Sequence, residues 1–416
     1  MHSDRNRRPR PITGPEKGVT AMARAAGTAR RPGSAGAGGP PDGVLLTGAT
    51  GFLGMELLAR YMESTDRRVY VLVRAPDDRV AVARVRHTLR SLFGADHPYG
   101  ERVVTVRGDI TRPGLGLGAE RDALAEHVGE IVHGAASVSF ELGLGSLRAI
   151  NVGGTRRVLE FAQRCHTRGG LRRLSHISTA YVAGEHSGAF SEDELDVGQR
   201  FRNPYEQSKF EAEQLVAEAR TRLPITVLRP SIIVGERETG WTTSFNVLYW
   251  PLRAFSRGAY VALPARRDAP VDVVSVDYVA DAICALGGAP EAEGATYHLT
   301  AGASASCVGE LIELATTRFA RPAPRLIAPG VYRRAVHPLL VRASRDQRYR
   351  RALSRSEVFF PYFDMGVTYD DRRSRVALRG AGIRPTPLPR YFDRLVEFAL
   401  AAEWGRRPIP RASVAA

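Results

Sequence analysis

The stretch VLLTGATGFLGMELLARYM constrains the fold of this chain most. A short apolar run enters a turn with Gly48, Gly51 and Gly54 three residues apart. A helical pattern follows at once, with Leu53, Leu57, Leu58 and Tyr61 on one face. A fully apolar strand that turns directly into an amphipathic helix belongs to a sheet covered by helices. Further strand candidates follow at Val69–Val73, Val103–Val106, Glu130–His133, Leu174–Ser178 and Ile225–Leu228, with amphipathic segments between them. This alternation predicts an α/β chain, a Rossmann-like doubly wound parallel sheet over residues 43–235. Past residue 236 the rhythm weakens, and a smaller, mainly helical C-terminal substrate lobe is expected over 236–416, with 270–300 returning to the main core.

Glycines at such a turn allow a tight bend, let the backbone approach a pyrophosphate, and pack the helix on the strand, while the helix N-terminus offers a positive dipole end. Thr47, Gly48, Thr50, Gly51, Phe52, Leu53 and Gly54 are therefore candidates for holding a dinucleotide. The second strand ends in VYVLVRA, which puts Arg74 where a carboxylate would accept bonds from a ribose 2′-hydroxyl. A cation there matches a 2′-phosphate, so NADPH is the expected cofactor, with Arg84 as a second contact.

Only two of the 59 basic residues are lysines, Lys17 and Lys209. Lys209 stands four residues after Tyr205 in NPYEQSKFEAEQ. An ammonium is a compact charge that can lower the pKa of a neighbouring phenol, and a forked guanidinium suits that place poorly. The pair reads as a proton-transfer unit. HISTAYVAG, ending the fifth strand, supplies Ser178 and Thr179 as hydroxyls for the substrate oxygen that Tyr205 would protonate.

The first gap of TGATGFLG is one residue wider than in G-x-G-x-x-G, and with the motifs above the chain resembles the extended short-chain dehydrogenase/reductases over residues 43 to about 300. The resemblance implies that Thr179, five residues before Gly184, is the active hydroxyl, with Ser178 as the alternative. It implies a triad of Thr179, Tyr205 and Lys209, with Asn151 of INVGGT holding the lysine through water. It also implies cofactor contacts from Asp109 and Ile110 of RGDIT, Ala135 and Ala136 of HGAAS, Lys209, and Pro230 and Ile232 of VLRPSIIVGERETGW.

Within that superfamily the motifs are similar to the thioester reductase and fatty acyl-CoA reductase branch, the male-sterility type. The implied reaction is NADPH-dependent reduction of an acyl thioester, carried by coenzyme A or acyl carrier protein, to aldehyde or on to alcohol. No adenylation or carrier region stands upstream, so a thioester made elsewhere is expected. A hydroxysteroid or sugar-nucleotide dehydrogenase or epimerase would use the same triad, and an NADPH-binding redox sensor would keep the turn and lose the triad.

Residues 1–42, with eight basic and three acidic side chains and no apolar period, read as a disordered basic tail in which Met22 is a second candidate start. Neither a secretory signal nor an apolar run of about 18 residues is present, so a cytoplasmic protein is expected. Cys165, Cys284 and Cys307 lie too far apart for a thiolate cluster, and the histidines show no ligand spacing, so no metal is expected. The aromatic stretch over residues 244–264 suits either an acyl channel or plain core. The arginine-rich residues 333–355 suit an acidic carrier or peripheral contact with an anionic inner-membrane surface. The formal charge of +15 comes with no recognition motif, so nucleic acid is not an expected partner.

Overall fold

A computed structural model describes residues 41–336, 338, 342 and 357–414. The basic tail therefore lies outside the described residues up to residue 40, as does most of the arginine-rich stretch.

Seven strands form one parallel sheet: β1 (Gly43–Thr47), β2 (Val69–Val73), β3 (Val103–Arg107), β4 (Val128–His133), β5 (Arg173–Ile177), β6 (Ile225–Pro230) and β7 (Thr296–Leu299). Their spatial order is β7-β6-β5-β4-β1-β2-β3. The order reverses direction between β1 and β4, which opens a crevice at their carboxyl ends. β1, β2 and β4 are buried at every residue; β2 accordingly reads as an unbroken apolar run, while β4 also buries Glu130 and His133. β7 was not among the strands read from sequence. Its TYHL alternates polar and apolar side chains over four residues, and it pairs with β6 from Thr296↔Val227 to Leu299↔Pro230.

Helices cover both faces. On one, α1 (Phe52–Ser64), α2 (Asp78–Phe93) and α7 (Val276–Gly288) enclose a core that includes Leu57, Leu58, Leu89 and Ile283. On the other, α3 (Glu120–His127), α4 (Gly153–Gly169) and α5 (Pro204–Ala219) enclose Val158, Phe161, Leu174 and Val216.

Past β6 lie α6 (Tyr249–Ser256), α8 (Val308–Phe319) and α9 (Phe392–Ala401), whose apolar faces meet around Leu252, Ala315 and Leu395. Short strand pairs tie this region down: Ile232–Val234 runs parallel to Val273–Ser275, and Gly188–Phe190 parallel to Val367–Tyr369. After α9 the chain returns to the first core, where Ile409 and Val414 pack against it. None of the described helices is long and apolar enough to cross a membrane.

Candidate active site

A cleft of about 1790 Å³ runs over the crevice. Its floor is the glycine turn. Gly48 has φ +83°, and a Cβ there would lie 2.9 Å from the backbone nitrogen of Ala135. A Cβ on Gly54 would lie 2.0 Å from the carbonyl oxygen of Gly48, so only glycine lets the helix close onto the turn. Gly51 is exposed and bare toward the cleft. The turn is thus a backbone cradle of the shape a pyrophosphate needs.

The other predicted cofactor residues divide. Thr50, Phe52, Leu53, Ala136, Pro230 and Ile232 line the cleft. Thr47 lies beneath it, its hydroxyl accepting from the amide of Ala135 at 3.1 Å and pairing with His133 at 2.9 Å. Arg84 lines the cleft, whereas the exposed Arg74 does not; the two meet where the Arg84 guanidinium donates to the Arg74 carbonyl at 2.5 Å. Asp109 and Ile110 are not in the lining. Asp109 accepts from the amide and hydroxyl of Thr111, and Ile110 packs beneath Gly154.

The catalytic candidates come together. Asn203 caps α5 by accepting from the Glu206 amide at 3.0 Å, and Pro204 stands in the first turn. The helix therefore starts just before Tyr205, and the i,i+4 spacing puts Tyr205 and Lys209 on one face, both lining the cleft. Thr179 caps the short helix after β5 and bonds the Tyr205 phenol, which pulls its pKa down. Burial outweighs that bond and pushes Tyr205 up to about 12.

Lys209 is buried and donates to the Ile177 carbonyl at 2.9 Å; burial lowers its pKa to about 8, against the attraction of Glu213. The sequence suggested that Lys209 would acidify Tyr205. In the structure the causes acting on the phenol are burial, the Thr179 hydroxyl and the Glu206 carboxylate, and the ammonium gives one N–H to the end of β5.

Asn151 sits in a π turn, Arg148–Val152, and clasps both the amide and carbonyl of Ser137, at 2.8 and 3.0 Å. Its amide also donates to Ser208 at 2.9 Å, so it ties the loop after β4 to α5.

Sequence reading missed several neighbours. Tyr362 accepts from Asn203 at 2.6 Å, donates to Glu206 at 2.9 Å, and stacks on Phe140, which in turn lies 5.7 Å from Tyr205. The buried rings of His133 and His176 lie 5.5 Å apart beneath Lys209, whose charge joins burial in holding both neutral. No spacing in the sequence links these positions.

The aromatic stretch splits between two roles. Phe245, Val247 and Trp250 line the cleft, while Leu248, Leu252 and Phe255 join the core and wall an apolar pocket of about 90 Å³. Tyr181, Ile232, Val247 and Tyr362 border both spaces.

Sheet order, glycine cradle and Tyr205–Lys209 face define a nicotinamide-dinucleotide-binding protein of the short-chain dehydrogenase/reductase type. The chain belongs to the family described as Male sterility protein, whose model matches residues 46–283. It is 40% identical over 224 residues to an isonitrile lipopeptide synthase of Streptomyces coeruleorubidus, covering 52% of this chain and 15% of that protein. It is 28% identical over 278 residues to the fatty acyl-CoA reductase wat of Drosophila melanogaster, covering 58% and 53%. Among solved structures it is similar to the terminal R domain of the myxalamid PKS-NRPS biosynthetic pathway. There the TM-score is 0.74 and the identity 29%, with 89% of this chain and 93% of that one covered. The chain thus spans about half or less of the two curated relatives.

Proposed function

We propose that this protein reduces an acyl thioester to the aldehyde with NADPH, using Thr179, Tyr205 and Lys209. The observation that carries the reading is the Thr179–Tyr205 hydroxyl pair, set in the same cleft as the glycine cradle. A carbonyl oxygen placed between those hydroxyls accepts two hydrogen bonds as negative charge builds on it. One such donor is worth about 3 kcal/mol in a water-excluded site. With its pKa near 12, Tyr205 carries its proton at any working pH and acts as the acid. Lys209, as ammonium, offers positive charge beneath the same end of the cleft and holds the end of β5 in place.

Bound NADPH supplies the hydride, and the balance is thioester plus NADPH plus one proton giving aldehyde, free thiol and NADP⁺. The tetrahedral hemithioacetal collapses when its C–S bond breaks and the thiolate takes up a proton. Arg84, lining the cleft next to the end of β2, supports the choice of NADPH over NADH. The R-domain likeness supports a thioester held on a carrier. The arginine-rich residues 333–355 are the proposed approach for an acidic carrier; Arg334 and Arg342, which are described, are exposed.

The test mixes purified protein and NADPH with acyl-CoA, acyl-pantetheine, acyl carrier protein thioesters, ketosteroids and nucleotide sugars. Loss of reduced-cofactor absorbance with release of thiol is expected from the thioesters. Turnover of a steroid or nucleotide sugar alone would overturn the reading.

A further inference from the structure

The cleft is electrostatically one-sided. Arg84, Arg90, Lys209 and Arg407 line it against one carboxylate, Glu141. Lys209 belongs to the catalytic end. Arg84, Arg90 and Arg407 are exposed, and no ion pair with a carboxylate is found for them among the described residues. Guanidiniums without a counter-charge that line one cleft suit a polyanionic ligand.

Arg407 comes from the far end of the chain, and the structure shows how it gets there. After α9 the backbone turns, with the Arg407 amide donating to the Ala402 carbonyl at 3.1 Å. The Trp241 indole then donates to the Ile409 carbonyl at 3.0 Å, and Trp241 packs 6.0 Å from Phe52 of the glycine turn. Two residues on, Arg411 reaches Glu56 of α1 at 3.1 Å and Glu236 at 2.8 Å, both buried, and Glu63 at 3.3 Å. Residues 409 and 411 therefore tie this segment down beside the dinucleotide turn at two points, and Arg407 stands two residues before the first of them.

Backbone amides of the glycine turn and the dipole of α1 already serve a pyrophosphate. Arg84 and Arg90 stand on α2, the helix that follows β2, and the end of β2 is where an adenosine ribose lies in this fold. We propose that residues 405–411 form a strap closing the adenosine end of the cleft, and that Arg407 joins Arg84 in gripping the phosphomonoester on the adenosine ribose of the cofactor. This rests on the NADPH reading above and adds a specificity residue and its anchor. Arg407 touches the ligand, and Arg411 is a positioning residue.

The experiment compares kcat/KM for NADPH and NADH in the wild type, Arg407→Ala and Arg411→Ala. Arg407→Ala should lower the NADPH-to-NADH ratio by about tenfold, the loss of one charge-assisted contact. Arg411→Ala should lower the same ratio through KM for NADPH. If Arg411→Ala only lowers the melting temperature and keeps the ratio, the strap is structural and the inference fails. A wild-type preference for NADPH that survives Arg407→Ala overturns the inference and leaves the cofactor reading standing. Equal use of both cofactors by the wild type removes that reading as well. Coenzyme A also carries a phosphorylated adenosine ribose, so KM is measured for a CoA thioester and its dephospho-CoA counterpart. If Arg407→Ala raises KM for the CoA thioester alone and leaves that for NADPH, the site belongs to the carrier and the inference is overturned.

Discussion

The Ser178 hydroxyl donates to Glu213, a carboxylate already held by the Arg229 guanidinium through bonds of 2.9 and 2.6 Å. All three side chains are buried. The hydroxyl of Ser178 is thus committed to a structural ion pair, while its neighbour Thr179, with only a long 3.4 Å bond to the Pro230 carbonyl, lies close enough to Tyr205 to lower the phenol's pKa. Two adjacent hydroxyls with the same chemistry acquire different work from what each one faces. Thr179→Val should therefore cut kcat by about a hundredfold, the usual loss for one oxyanion donor. Ser178→Ala should act mainly on stability, by about 1 kcal/mol. Steady-state rates and urea unfolding of both variants decide, and the reverse order would move the catalytic role to Ser178.

Lys209 should set the alkaline limit of activity. Burial brings its pKa from the ordinary 10.5 to about 8. If the ammonium is the working form, kcat/KM should fall as pH rises through about 8, and Glu213→Gln should move that limb toward lower pH by removing the attraction that opposes burial. Stability runs the other way. Between about 8 and 10.5 the unfolded chain holds the proton that the folded one has released, so the Lys209 contribution to stability rises with pH across that window. A pH–rate profile flat to pH 10 would show that the charge on Lys209 is not used.

The six strands read from sequence were legible because each is a short, largely apolar segment set in a regular strand–helix rhythm, and the glycine turn and the Tyr205–Lys209 pair because each is a local spacing. β7 was not read, although its Thr296 and His298 are matched by polar residues in β4 and β5; it lies past residue 236, where the strand–helix rhythm that framed those segments weakens. Arg74 and Arg84 show a different limit. Position at the end of β2 is readable, but the direction of a long side chain is not, and it is Arg84 that reaches the cleft. Tyr362, Trp241 and Arg407 join the site from distant points of the chain, through packing that no local period encodes. The charge balance at Tyr205 escaped for the same reason, because it depends on burial by the surrounding fold and on Thr179 from the end of β5.

That asymmetry between Arg74 and Arg84 gives a cofactor prediction. Arg84→Ala should erode preference for NADPH by about ten- to a hundredfold, the range for a charge-assisted phosphate contact. Arg74→Ala should do less, because the structure uses its carbonyl, which any residue supplies. Titration of each variant with NADP⁺ and NAD⁺ checks the order.

The Arg229–Glu213 pair predicts a non-additive stability result. Arg229→Met leaves a buried carboxylate uncompensated and should cost about 3–5 kcal/mol. Adding Glu213→Leu should recover much of that loss, since replacing both ions removes the desolvation penalty. Activity should not recover with it, because Glu213 also supports the charge on Lys209. Denaturant unfolding and turnover on the two variants separate these effects.

On the proposed function, the apolar pocket beyond Tyr181 and Tyr362 predicts how an acyl group would be measured. Leu248, Leu252, Leu263, Leu311 and Ile312 help to wall it, and it borders the cleft at Ile232 and Val247. Each methylene that leaves water for such a wall gains about 0.8 kcal/mol, close to fourfold in kcat/KM. Specificity should climb by that step with each added carbon and then level off when the pocket is full. Leu311→Phe adds bulk at a half-buried position of the wall, so the plateau should arrive at a shorter chain while the slope below it stays the same. The measurement is kcat/KM over a series of saturated acyl-CoA substrates. A profile without slope in the wild type would show that the acyl chain lies elsewhere, and a plateau unmoved by Leu311→Phe would show that this pocket is not its end.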